Sequence, residues 1–236
     1  GGSVDVLSVL VDADEVLFLE SMAAFEEATG ITVNHAGTKE FETQMSVRMD
    51  AGDPPDIAIF PQPALMASLA RDGYTADLSE FLDAEMLQGN FSEGLLELGS
   101  VDGVLTGIPY RASTKSLVWY PKAKFDDAGY TVPTTWEELQ SLQDQMVVDG
   151  IPPWCISIEH SGATGWVATD WLEEIVLRTA GPEVYDQWVA HEIPFNDPAI
   201  LDAAQIMGDI WFNPELVYGG THFILTTFVG AAPPPM

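Results

Sequence analysis

The sequence predicts an α/β chain of two lobes, in which parallel sheets are flanked by helices. Three observations predict it. The opening residues, 4–60, alternate β-branched runs with stretches of helical periodicity, the pattern of a parallel sheet covered on both faces. Residues 107–139 then read as a crossover from one lobe to the next: extended, briefly helical, and extended again before a long helix. After the crossover, helical segments and a short apolar run resume, separated by Gly-Pro, Asn-Asp-Pro and Asn-Pro breaks. A chain of 236 residues that is 47% hydrophobic and 10% aromatic can bury such cores, and it is not composed like a disordered tail.

Taken in order, residues 4–11 (VDVLSVLV) suit a central strand, and Gly1, Gly2 and Ser3 read as a flexible lead. Asp12, Ala13, Asp14 and Glu15 precede a helix over 16–29, whose Leu17, Leu19, Met22, Ala23 and Phe25 fall near helical spacing. Gly30 ends it as a left-handed cap. Residues 31–33 start a second strand, 39–51 form a second helix, and 52–55 (GDPP) turn into a third strand over 56–60 that Pro61 breaks. Sheets of this kind bind ligands at the carboxyl ends of their strands, which selects the loops 12–15 and 60–63 (FPQP). Residues 64–71 continue as a helix, and 101–104 (VDGV) carry the Asp-Gly signal of a tight hairpin.

In the crossover, Ile108-Pro109 forces an extended backbone, 116–120 (SLVWY) fits a buried strand, and Pro121 stops it. Residues 122–128 make a short helix that ends at Gly129. Thr134 with Glu137 forms a capping box for a helix over 134–149, on which Trp136 reads as core. Four of the eight Lys and Arg residues (Arg111, Lys115, Lys122, Lys124) fall in this passage. The expected lobes are 1–110 and 111–236. In the second, 154–158 reads as a strand, and 159–166 (EHSGATGW) as a loop rich in Gly and hydroxyls that brings Trp166 to a helix start. Trp166 and Asp170 share one face of that helix, while Val167, Trp171, Ile175 and Val176 point to the core. The last helix spans 199–212. The single cysteine, Cys155, allows no internal disulfide, and between Trp154 and Ile156 it reads as a buried thiol.

The ordered run of GIPY, SLVWY, Lys122-Ala123-Lys124-Phe125, Ala128-Gly129-Tyr130 and Pro133-Thr134-Thr135-Trp136-Glu137-Glu138-Leu139 resembles the extracellular solute-binding proteins of bacterial ABC importers, in their carbohydrate branch. PWCISIE, SGATGW, TDWLEE, LRTAGPEVYDQW and IPFNDP are similar to the α-glucoside-binding subgroup. The resemblance implies a two-lobe, periplasmic-binding-protein-like fold. Members of the family are longer, and their last portion completes both lobes. It therefore also implies that this chain, ending in 231–236 (AAPPPM), is incomplete at its C-terminus. The implied function is capture of a neutral di- or oligosaccharide, an α-glucoside, in an interlobe cleft, by shifting an open–closed equilibrium. Permease subunits of an ABC transporter are the implied partners. The complete protein is expected to be a monomer, extracellular or periplasmic, anchored by an N-terminal lipid on its precursor.

Sugar recognition asks for aromatic faces and planar polar groups. On the family pattern, residues after the first strand bond sugar hydroxyls, which points to Asp14, with capping of the helix as its other reading. Phe60 holds the place of an aromatic facing the cleft, and Glu40 lies in the second cleft loop, where a solvated helix start is its other reading. Gln62, Trp154, Glu159, Thr164, Trp166 and Asp170 extend the set, with Arg111 at the cleft mouth. Arg111 and Lys115 each read either as a donor to a sugar hydroxyl or carboxylate or as a neutraliser of the surrounding acid, the second preferred for Lys115.

With 37 Asp and Glu against 8 Lys and Arg, the formal charge is -29, so no nucleic-acid partner is expected, and the acidity reads as a solubility adaptation. An enzyme is not expected. His35, His160, His191 and His222 stand in no metal-ligand spacing, Asp12-Ala13-Asp14 lacks the Gly and Glu of a calcium loop, and no nucleotide or nucleophile-elbow motif occurs. No cofactor or metal is called for. An extracellular glycoside-acting enzyme with paired carboxylates is the alternative reading, and a surface scaffold the third. The longest apolar candidate, 223–229, is far short of the ~20 residues of a membrane span.

Overall fold

The computed structural model describes residues 1–227; the terminal stretch 231–236 and the end of the apolar run 223–229 lie outside the described residues. The chain divides into two compact units, Gly1–Ser113 and a second from Thr114 onward.

In the first unit β1 (Ser3–Ser8), α1 (Ala13–Thr29), β2 (Thr32–Gly37), α2 (Phe41–Ala51), β3 (Ile57–Ile59) and α3 (Pro63–Arg71) follow one another. The strands pair in the order β2-β1-β3, both pairings parallel, so the α/β class predicted from the alternation is the class observed. Side-chain alternation along β1 builds two cores. Val6 packs with Val33 of β2 and Phe18 of α1 on one face, and Leu7 packs with Phe41 and Met45 of α2 and Leu69 of α3 on the other.

Two expectations in this unit need correction. Ser3 belongs to β1 rather than to a flexible lead, because it pairs with Thr32. On α1 the residues facing the sheet are Phe18 and Met22, whereas Leu17, Leu19 and Phe25 are exposed. Apolar residues encircle this helix, so periodicity alone could not select its inward face. The hairpin predicted at Asp102-Gly103 joins β4 (Ser100–Val101) to β5 (Val104–Leu105). Both turn residues have positive φ, 52° and 85°, as a type I′ turn requires. Between β3 and this hairpin lie α4 (Ala84–Asn90) and α5 (Glu93–Leu98).

Gly37 closes β2 where the chain leaving β1 crosses it. A Cβ there would stand 1.9 Å from the Leu10 carbonyl oxygen and 3.3 Å from Cε1 of His35. Gly37→Ala should therefore destabilise the protein by about 1–2 kcal/mol through forced displacement of backbone. Urea unfolding followed by circular dichroism checks this, and an unchanged midpoint would show that the crossing has slack.

The second unit is built from α6 (Lys122–Asp127), α7 (Trp136–Val148), α8 (Trp166–Thr179), α9 (Pro182–Val189) and α10 (Pro198–Trp211). Leu172, Val176, Ile200 and Ala203 lock α8 to α10, with Tyr185 and Trp188 of α9 against them. A second core gathers Ile156, Ile210, Trp211, Val217 and Phe223, and Phe125, Tyr130 and Met146 tie α6 to α7.

The expected strand 116–120 does not form. Ser116 takes a φ of 59°, and Leu117, Val118, Trp119 and Tyr120 are exposed, Trp119 at 87%. A β-branched run becomes a strand only where another backbone takes up its N–H and C=O groups, and no described strand lies alongside this one. Among the described residues, 154–159 makes only single parallel bridges, Trp154 with Val217 and Glu159 with Thr227, in place of the continuous strand expected over 154–158. The capping box falls one residue later than expected. The Thr135 hydroxyl accepts the Glu138 N–H at 3.2 Å, and the Glu138 carboxylate accepts the Thr134 N–H at 2.7 Å and hydroxyl at 2.8 Å. Those bonds, the backbone N–H foremost, hold the Glu138 carboxyl below its usual range. Trp136, the first residue of the helix, is 41% exposed rather than core. Cys155 is exposed, not buried as its apolar neighbours suggested, because Ile156 takes the inward position. No described helix is long and apolar enough to cross a membrane.

Candidate functional site

Parallel pairing places the loops after β1, β2 and β3 at one end of the first sheet. Asp14 lies in the first turn of α1. The residue at the cap position is Asp12, which makes no side-chain cap, so the capping role considered for Asp14 is not the one it plays. Its carboxylate instead accepts from Nη1 of Arg111 at 3.4 Å, with both side chains about half exposed. Glu40 occupies the cap position of α2 without capping it; the local bonds go through the Thr38 hydroxyl, which accepts from the Glu40 N–H at 3.1 Å. Phe60 follows β3 and is half-buried, edge-to-face with Phe41 at a centroid distance of 5.4 Å. Gln62 is exposed at the start of α3. The structure thus joins Asp14 to Arg111 directly, and sets Glu40, Phe60 and Gln62 on the loops of the same sheet end.

In the second unit the residues converge on the start of α8. Gly165, at φ 109°, turns the loop into the helix, and Trp166 is its first residue. The Trp166 indole N–H donates to Nδ1 of His160 at 3.2 Å. Lys115 stands over the same ring, its Nζ 4.4 Å from the ring centroid, and donates to Oδ2 of Asp170 at 3.0 Å. Trp166 and Asp170 therefore share a face, as their spacing predicted, and a lysine fifty-five positions before Asp170 bridges them. Thr164 and Glu159 are engaged in shaping the loop. The Thr164 hydroxyl accepts the His160 N–H at 2.9 Å and donates to the Ser161 carbonyl at 2.7 Å, while Glu159 accepts the Ser161 N–H at 2.9 Å. Trp154 belongs to the core: its ring meets Trp171 edge-on at 5.0 Å, and its indole N–H donates to Gln143.

The ion pair of Lys115 with Asp170 is the neutralisation of acid that the sequence suggests for this lysine, and its place over the Trp166 ring adds to it; His160, in no metal-ligand spacing, takes the Trp166 indole N–H. The Gly-rich loop before Trp166 could have flagged His160, whereas nothing in the spacing links Lys115 to α8. Among the described residues no group of three or more His, Cys, Asp or Glu is placed to hold a metal.

A family model described as bacterial extracellular solute-binding protein matches residues 12–220. The chain is 45% identical over 227 residues to the osmoprotective compounds-binding protein GgtB of Synechocystis sp., covering 96% of this chain and 54% of that protein. It is 42% identical over 223 residues to the alpha-glucosides-binding periplasmic protein AglE of Rhizobium meliloti, covering 91% of this chain and 48% of that one. The chain thus spans about half the length of these curated relatives. Among solved structures, a chitin oligosaccharide binding protein superposes with a TM-score of 0.76 at 24% identity, over 96% of this chain and 56% of the other.

Proposed function

Because the chain belongs to the bacterial extracellular solute-binding protein family, we propose that it captures a neutral di- or oligosaccharide, an α-glucoside, for an ABC importer. The partners are then the saccharide and the permease subunits, and the place of work is outside the cytoplasmic membrane, with an N-terminal lipid on the precursor as anchor. The relative that binds alpha-glucosides supports the ligand class. The observation that carries the reading is the setting of Trp166. A half-buried indole, tethered at its N–H, lies beside a carboxylate and an ammonium that can exchange their mutual bond for sugar hydroxyls.

Neutrality of the ligand has its own support. Arg111 and Lys115 are each paired with a carboxylate, Asp14 and Asp170. An anionic ligand would have to displace an acid from one of them in a chain of formal charge -29. A thermal-shift screen over maltose, trehalose and sucrose, followed by calorimetric titration, tests the class. Affinity should change less than about twofold between low and moderate salt, since no ion pair to the ligand is screened. A steep loss with salt would point instead to an anion held by Arg111 or Lys115. Absence of any saccharide-induced stabilisation would overturn the reading. A second reading draws on the relative that binds osmoprotective compounds; a zwitterionic betaine in the same screen separates it.

A further inference from the structure

A relay of three side chains, Ser8 and His35 buried and Glu15 at the rim, closes the carboxyl end of the first sheet. Ser8 ends β1 and is 0% exposed. His35 lies in β2 with its side chain fully buried, and Glu15 lies in the first turn of α1. Ser8 Oγ is 2.7 Å from His35 Nε2, and His35 Nδ1 is 2.9 Å from Glu15 Oε1. The Leu10 N–H donates to Ser8 Oγ at 2.9 Å. A carboxylate can only accept, so Nδ1 carries a proton and donates to Glu15, while Ser8 Oγ, donor and acceptor both, orients Nε2.

The order hydroxyl, imidazole, carboxylate is that of a nucleophile and its base. Here, however, the hydroxyl has no exposed surface and already accepts from Leu10, which leaves a substrate no approach to it. What the relay does is join β1, β2 and α1. The Phe18 ring packs on the imidazole at a centroid distance of 4.6 Å, and Gly37 leaves it room, since a Cβ there would stand 3.3 Å from Cε1. The joint adds to a helix start that has no side-chain cap: Asp12 sits at φ 54°, and the local bonds of the first turn run through the backbone, the Asp14 N–H donating to the Val11 carbonyl at 3.1 Å. Asp14, next to Glu15 in that turn, carries the contact to Arg111.

We propose that His35 is a positioning residue for ligand capture. In its Nδ1–H form, oriented by Ser8, it clamps Glu15 and the first turn of α1, and so sets Asp14 and Arg111 at the end of the sheet. The inference rests on the saccharide reading of Asp14, and its test has one arm that needs no ligand.

Glu15 is at the rim of the relay, 36% exposed, so its variants should fold. In the ligand-free chain, 15N shifts of the His35 imidazole should show a protonated Nδ1. Amide exchange over residues 13–16 should accelerate about tenfold in Glu15→Ala. Glu15→Gln, whose amide oxygen still accepts from Nδ1–H, should keep near-normal protection. Maltose affinity should follow the same order, about tenfold weaker in Glu15→Ala and restored in Glu15→Gln. An unprotonated Nδ1, equal exchange in the two variants, or accelerated exchange with unchanged affinity would each overturn the proposal. If the unmutated chain binds no saccharide, the saccharide reading fails by itself, and with it the role in capture, while the exchange data still decide whether the clamp exists.

Discussion

Trp171→Ala is expected to destabilise the second unit by about 3–5 kcal/mol, the range for deleting a large aromatic from a core. Trp171 stands between Trp154, edge-on at 5.0 Å, and Trp211, edge-on at 5.6 Å, and Phe223 continues the series at 5.2 Å from Trp211. Removing the middle ring opens a gap that neither neighbour can fill, because Trp211 is buried beside Ile156 and Val217, and Trp154 is held by Gln143. Far-UV circular dichroism in urea gives the measurement. A variant that unfolds at the wild-type midpoint would show the aromatic series to be a surface feature.

Trp166→Ala is expected to do the converse. Saccharide binding should weaken by about 2 kcal/mol or more, roughly thirtyfold, as for a buried aromatic anchor, while the melting temperature of the sugar-free protein stays close to wild type. The ring is attached to the fold by its N–H to His160 and by the ammonium of Lys115 over its face, contacts that contribute little stability where solvent reaches them. The two tryptophans are five positions apart on one helix, so the pair of variants separates a binding role from a packing role at nearly constant local structure. A Trp166 variant that binds normally but melts early belongs to the core, and the proposed stacking role fails with it.

The first unit was readable because its signals are local. Turns at Gly30, Gly52 and Asp102-Gly103, with β-branched runs between helical stretches, each depend on residues within a few positions of one another. Where the same rules met a run that needed a distant partner, they overreached. Residues 116–120 have the composition of a strand, yet Trp119 is 87% exposed. The face of α1 was likewise undecidable from spacing, since Leu17 and Phe18 are equally apolar and only the sheet below distinguishes them.

The candidate site divides along the same line. That Trp166 opens a helix with Asp170 one turn on was determined by the sequence, because a Gly-rich loop ends a helix's upstream neighbour and i, i+4 residues share a face. Membership of the extracellular solute-binding protein family was likewise carried by short ordered motifs. Only the tertiary structure decided that Lys115 bridges Trp166 and Asp170, that Trp154 is spent on the core, and that Ser8, His35 and Glu15 form one relay. Those contacts join residues 11 to 55 positions apart. Hydrogen bonds and ring faces are short-ranged, so whether distant residues meet depends on how the elements pack and in which register, quantities that no local pattern contains.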